Sequence, residues 1–226
     1  MTQTASHSSK PIPQQDRSRR TEQTLLDAAL TLFRERDADT VTVGEIALAA
    51  GVAPATIYRR FGDKQGLLKE VFTSFIADAM HVMDLLPVQA GQDIVALLAD
   101  VIHVVMSFSQ VNQRLLQSAY AKALVDKFYE AQMAALSRHT IATLKRQFVN
   151  HVDRIAHPRP NLAIDFMLRQ AVAMLSARLA AGKLEAGNED ISDAVFLREL
   201  MRSLLGYLQI PLNARAIDKA LSARGL

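Results

Sequence analysis

The residues that break helices are unevenly spaced along this chain, and that spacing limits its fold more than any other feature. Gly44, Gly51, Pro54, Gly62 and Gly66 crowd one short stretch, whereas no Gly lies between Gly91 and Gly182 and no Pro between Pro87 and Pro158. Gly frees the backbone and Pro removes a donor, so the crowded stretch predicts short helices joined by tight turns. The stretch after Pro87 predicts long helices. We place a boundary between the two parts there. Half of the residues are apolar but only 6% are aromatic, with Ala and Leu abundant and no Trp, a composition of helix formers. The expected fold class is all-α.

Apolar spacing then predicts the individual helices. Leu25, Ala28, Ala29, Leu32 and Phe33 fall at i, i+3, i+4, i+7 and i+8, one stripe of a helix over 17–36. Thr42 caps a short second helix over 43–50, which stops at Gly51, a residue suited to the left-handed conformation after a helix end. Pro54 suits the first turn of a third helix over 54–61, ended by Gly62. A fourth helix begins near Asp63, carries Leu68, Phe72, Phe75, Ile76, Ala79 and Met83 on one broad face, and runs until Pro87. Beyond it we expect helices over 92–108, 112–151 (broken once, near Gln117), 161–181 and 192–210, then a C-terminal turn or two. The run His157-Pro158-Arg159-Pro160 reads as a helix break, since no polyproline repeat surrounds it.

Several function classes are disfavoured by what the chain lacks. With 26 Lys and Arg against 23 Asp and Glu the net charge is +3, so any nucleic-acid contact must come from a local patch. The absence of Cys excludes disulfides, thiolate zinc sites and Cys nucleophiles. His81, His103, His139, His151 and His157 show neither HExxH nor paired i, i+4 spacing, so no metal is expected. Neither GxGxxG nor GxxxxGK[ST] occurs, and there is no GxSxG elbow. No catalytic constellation and no cofactor are therefore expected. The first sixteen residues are polar, and no apolar run reaches about 18 uncharged residues. The expectation is a soluble, cytoplasmic protein without a membrane partner.

The second helix, a Gly turn and the third helix form the pattern of a helix-turn-helix, which places its second helix in the DNA major groove. Ala47 is small where the two helices approach, and Ile46, Val52 and Ile57 supply apolar positions to lock the pair. Arg59 and Arg60 are consecutive, about 100° apart around a helix, so one can face a base and the other the backbone. We assign the bidentate guanine contact to Arg59. Pro54, Ala55 and Thr56 offer small groups, suited to thymine methyls. Lys10, Arg17, Arg19 and Arg20 form a basic arm with two readings, contact with flanking phosphate or a solvated, disordered tail.

Three segments, taken together, resemble the TetR family of bacterial transcriptional regulators. They are the helix-one stripe, Thr42-Val43-Gly44-Glu45-Ile46-Ala47 with Gly51-Val52, and Pro54-Ala55-Thr56-Ile57-Tyr58-Arg59-Arg60-Phe61 with Asp63-Lys64. The likeness covers about 17–72. It implies that Thr42, Tyr58 and Lys64 stand where the family contacts phosphate, and that the rest is an all-helical ligand-binding and dimerisation domain. The domain scheme is then an arm over 1–16, a helix-turn-helix domain over 17–62, a connecting helix over 63–86 and the effector and dimerisation domain over 87–226.

Met residues on the later helices suggest core packing or a pliable effector pocket. Candidate pocket residues are Met83, His103, Met106, Tyr120, Phe128, Met133, Phe166 and Met174. The last two long helices are apolar on more than one face, and the family pairs them across a two-fold axis. Leu168, Val172 and Leu175 of one, with Leu197, Met201, Leu204 and Leu208 of the other, are the candidate dimer contacts. The expected function is a homodimeric regulator, a repressor released from a palindromic double-stranded operator by a small apolar or aromatic effector. The alternative is a helical small-molecule-binding protein or scaffold that has lost DNA binding.

Overall fold

A computed structural model describes residues 14–86, 92–181, 185–186, 189–211 and 213–226. It is all-α apart from one two-residue hairpin, and it divides into two compact units, the first ending at Val71 and the second beginning at Phe72. Lys10 and Pro87 lie outside the described residues.

The first unit holds α1 (Gln14–Glu35), α2 (Val43–Ala49), α3 (Pro54–Phe61) and the start of α4 (Lys64–Asp84). Leu25, Ala29 and Phe33 of α1 are buried with Ile46 and Ala47 of α2 and Ile57 of α3. Ala28 and Leu32, expected on the same stripe, are half-buried at its edge. Burying a side chain such as Phe33 stabilises the unit by roughly 1.5 to 3 kcal/mol. Arg17, Arg19 and Arg20 are exposed but already helical, so this basic segment is the first turns of α1 rather than an arm.

Local chemistry sets the turns. A capping box starts α2: the Glu45 N–H donates to the Thr42 hydroxyl (3.2 Å) and the Thr42 N–H donates to the Glu45 carboxylate (2.8 Å). At its end Gly51 takes φ +66°, and the N–H groups of Val52 and Gly51 donate to the carbonyls of Ala47 and Leu48. This is a Schellman closure, and Gly51 supplies the left-handed residue that it needs. Asp63 caps α4 by accepting from the Gly66 N–H at 2.7 Å. A Cβ on Gly66 would lie 2.0 Å from the Phe61 carbonyl oxygen, so only glycine fits between α3 and α4.

The second unit holds the rest of α4 with α5 (Ile94–Val111), α6 (Gln113–Ala123), α7 (Lys127–Phe148), a 3₁₀ turn (Val149–Arg154), α8 (Pro160–Ala181), α9 (Asp193–Tyr207) and α10 (Ala214–Ser222). Strands β1 (Glu185–Ala186) and β2 (Glu189–Asp190) pair antiparallel between α8 and α9. The expected break near Gln117 falls instead after Ala123, because Asp126 caps α7 by accepting from the Phe128 N–H at 2.8 Å. Helix α9 stops at Tyr207 rather than Ile210: Gln209 takes φ +57° and the Ile210 N–H turns back to the Leu205 carbonyl.

Helix α5 is long and apolar enough by composition to cross a membrane. Here it is a core helix of the second unit, with Leu98, Ala99 and Ile102 buried and Asp100 bound by Arg224 and Gln92. That carboxylate is held below its usual range, chiefly by the Arg224 hydrogen bond and against the effect of burial.

Candidate nucleic-acid interface and ligand cavity

Helix α3 turns one face inward and one outward. Ile57 is buried, while Pro54, Ala55, Tyr58 and Arg59 are exposed and Thr56 is half-buried. Tyr58 leaves 53% of its surface open, a large exposure for an aromatic ring. Arg59 has no ion-pair or hydrogen-bond partner among the described residues, so its five donors face solvent. Its neighbour differs. Arg60 donates to the Ser18 hydroxyl (2.8 Å) and pairs with Glu22 (3.2 Å), both on α1, and its side chain is 17% exposed. Arg60 therefore ties α3 to α1, and of the two consecutive arginines Arg59 is the one without a partner among the described residues.

The flanking residues are held as well as offered. Thr42 is exposed, but its hydroxyl is already bonded to Glu45. The Lys64 ammonium donates to the Asp39 carbonyl at 2.9 Å, which fixes the side chain near the start of α4. Glu45 also pairs with Arg36 at 2.8 Å. The Thr42 backbone N–H, the Thr42 hydroxyl and then Arg36 together hold the Glu45 carboxyl at about 2, well below the usual 4.5. Two acidic residues near the helix-turn-helix are thus bonded within the unit, Glu22 to Arg60 and Glu45 to Thr42 and Arg36.

A partly open cavity of about 100 Å³ lies among the helices of the second unit. Met83 closes it from α4, Leu98, Ile102 and Ser109 from α5, Leu116 and Tyr120 from α6, Met133, Ser137 and Thr140 from α7, and Leu168, Leu175 and Ser176 from α8. Burial pushes the Tyr120 hydroxyl above its ordinary pKa, and its hydrogen bond with Ser176 pulls partly back, so the phenol is neutral near pH 7.

Met83, Tyr120 and Met133 of the expected pocket residues line the cavity, and the other five do not. Met106 is buried in the surrounding core, and Met174 packs against that core from outside it. Phe128 lies edge-on to the Tyr129 ring. His103 is not on the wall and has a buried Nδ1 without a hydrogen-bond partner, and Phe166 is 53% exposed against the Tyr207 ring. The hydroxyl residues Ser109, Ser137, Thr140 and Ser176 were missed. Their signal is in the sequence: each interrupts an otherwise apolar helix face.

The candidate dimer contacts point inward. Leu168, Val172 and Leu175 line the cavity, and Leu197, Met201, Leu204 and Leu208 are buried within the unit. The open face of this helix pair is its opposite side, with Leu162, Phe166, Ala173 and Ala177 on α8 and Val195, Ser203 and Gly206 on α9. Gln170 bridges the two helices by donating to the Ser203 hydroxyl at 3.1 Å.

A helix-turn-helix in a first unit, followed by a helical unit with a cavity, is the architecture of a DNA-binding transcriptional regulator. The sequence carries the same statement further, because residues 25–71 match the family model for bacterial regulatory proteins of the tetR family. Residues 25–71 thus form a DNA-binding domain of the tetR-family type.

Two curated relatives agree. The transcriptional repressor KstR2 of Rhodococcus jostii is 42% identical over 72 residues, 30% of this chain and 34% of that protein. The regulator AcrR of Shigella flexneri is 44% identical over 52 residues, 23% of this chain and 24% of that protein. The matched segment thus spans no more than about a third of the relatives' length. The fold likeness is wider. A TetR-family regulator from Streptomyces coelicolor shares it at TM-score 0.63 and 19% identity, over 91% of this chain and 86% of that one. A transcriptional regulator from Cytophaga hutchinsonii does so at TM-score 0.60 and 14% identity, over 87% and 96%.

Proposed function

We propose that the chain is a sequence-specific, DNA-binding transcriptional regulator of the repressor type, acting in the cytoplasm as a homodimer released from its operator by a small molecule. The observation that carries this reading is the outward face of α3, where Tyr58 and a partner-free Arg59 stand beside the small Pro54, Ala55 and Thr56. In a major groove Arg59 meets a guanine edge, Ala55 and Thr56 meet thymine methyls, and Tyr58, Thr42 and Lys64 meet phosphates. The face of Phe166, Ala173 and Gly206 supports pairing of two copies, whose recognition helices then read half-sites about 34 Å apart.

Coupling has a physical route in α4, one helix of 21 residues that carries Lys64 in its first turn and Met83 in its last. Its final residue, Asp84, accepts from His139 (2.9 Å) and Thr143 (3.1 Å) on α7, which ties α7 to the end of α4. A ligand that binds the DNA-free conformation better weakens DNA binding by the same factor by which DNA weakens its own. The test is fluorescence anisotropy with DNA flanking the protein's own gene, across a salt series. Saturable binding that outcompetes unrelated DNA and weakens linearly in log salt supports the reading; equal affinity for unrelated DNA refutes it.

A further inference from the structure

Resting on the reading of the second unit as an effector domain, the structure assigns the cavity a narrower ligand class than a generic apolar effector. We infer that it takes an uncharged amphiphile: an apolar body with one neutral hydroxyl or carbonyl oxygen, bonded at the Tyr120–Ser176 pair.

The first observation is the absence of charge. Among the described residues no Asp, Glu, Lys, Arg or His lines the cavity. An ionised carboxylate or ammonium placed there would give up its water and meet no counter-ion, a penalty that hydroxyls do not offset. His103 stands on α5 but not on the cavity wall. Acids, amines and phosphorylated compounds are therefore refused as ions.

The second observation is where the polar groups sit. Along α5 the cavity residues are Leu98, Val101, Ile102, Val105 and Phe108 before its one lining hydroxyl, Ser109. On α8 the order is Leu168, Ala171, Val172 and Leu175 before Ser176, with Leu179 after it. Ser109 and Ser176 thus stand near the C-terminal ends of their own helices, Ser137 and Thr140 add hydroxyls from α7, and the hydrogen bond of Tyr120 with Ser176 joins α6 to α8. The lining residues of α5 and α8 that precede these serines leave an apolar surface for the body of the ligand. A hydroxyl holds one donor and two acceptor sites, so the Tyr120–Ser176 bond uses one of each and leaves a donor and further acceptors for a ligand oxygen. A wholly apolar ligand would bury these unsatisfied, whereas a neutral oxygen satisfies them.

Calorimetry on the full-length protein without DNA tests this, using para-butylphenol, butylbenzene and para-butylbenzoate at neutral pH. They share one body and differ only in the polar end. The phenol should bind tightest, with the benzoate weaker by about tenfold or more. Tyr120→Phe and Ser176→Ala should each bring the phenol down toward butylbenzene while leaving butylbenzene and the melting temperature nearly unchanged. Benzoate binding as well as the phenol, no binding by any of the three at millimolar concentration, or indifference to both substitutions would each overturn the assignment. Operator binding measured on the same preparation keeps that failure separate from failure of the DNA-binding reading.

Discussion

Two adjacent arginines on α3 should fail in different ways when truncated. The Arg60 side chain is 17% exposed and binds the Ser18 hydroxyl at 2.8 Å and the half-open Glu22 at 3.2 Å. An exposed ion pair contributes about 0.2 to 1 kcal/mol, and a hydrogen bond to a charged group about 1.5 to 3. Arg60 lies between these limits, since Glu22 is free to rehydrate once the arginine is gone. Arg60→Ala should therefore destabilise the first unit by about 1 to 2 kcal/mol and lower its melting temperature by about 2 to 8 °C. Arg59→Ala removes no contact within the described fold and should leave stability within about 0.5 kcal/mol. Its effect should appear on DNA instead, at about 1 to 3 kcal/mol on the cognate site, with the salt slope unchanged because a base contact releases no counterion. Circular-dichroism melting and anisotropy titrations, run on both variants, read the two effects separately. A double-mutant cycle with Ser18→Ala isolates the α1–α3 tie. The reasoning is refuted if Arg60→Ala melts like the parent while losing as much DNA affinity as Arg59→Ala.

The Glu45 carboxylate is held at about 2 by its cap and its Arg36 pair, against an ordinary 4.5. Its contribution is therefore present above about pH 4.5 and lost as the pH falls through about 2. Acid unfolding of Glu45→Gln, followed by circular dichroism, should be less steep in that window, and the NMR titration midpoint of Glu45 should rise in Thr42→Ala. For the dimer, Phe166→Arg or Ala173→Glu should give a helical monomer by multi-angle light scattering. Leu204→Arg, at a position with 0% exposure, should fail to fold rather than merely dissociate. A folded Leu204→Arg monomer would overturn the placement of the interface.

The sequence reads best where a single residue controls the backbone. Gly51 closes α2, Pro54 opens α3, Gly62 ends it at φ +78° and Asp63 caps α4, so each turn of the helix-turn-helix is written in its own residues. Helix α3 accordingly falls where its spacing predicts it, from Pro54 to Phe61. The break near Gln117 misses because it looks for lost periodicity. Asp126 stops and restarts the chain by a cap while apolar residues continue on both sides.

Partners distant in sequence are illegible for a different reason. Nothing near Arg60 announces Glu22 or Ser18, 38 and 42 residues away, although the 100° offset from Arg59 requires the two arginines to differ. The same limit governs α8 and α9. Strong apolar spacing marks what a helix buries first, and in a single chain that is its own core. Leu168, Leu175 and Leu204 are spent there, around the cavity and beneath it. In the proposed dimer a second copy meets what is left over, which on these helices includes Leu162, Phe166, Ala173, Ala177, Val195, Ser203 and Gly206. Small side chains let two helix pairs approach closely, while a sequence pattern tuned to large ones passes over them. A contact surface between copies is therefore better sought in the residues a helix leaves uncovered after its core stripe is assigned than in the stripe itself.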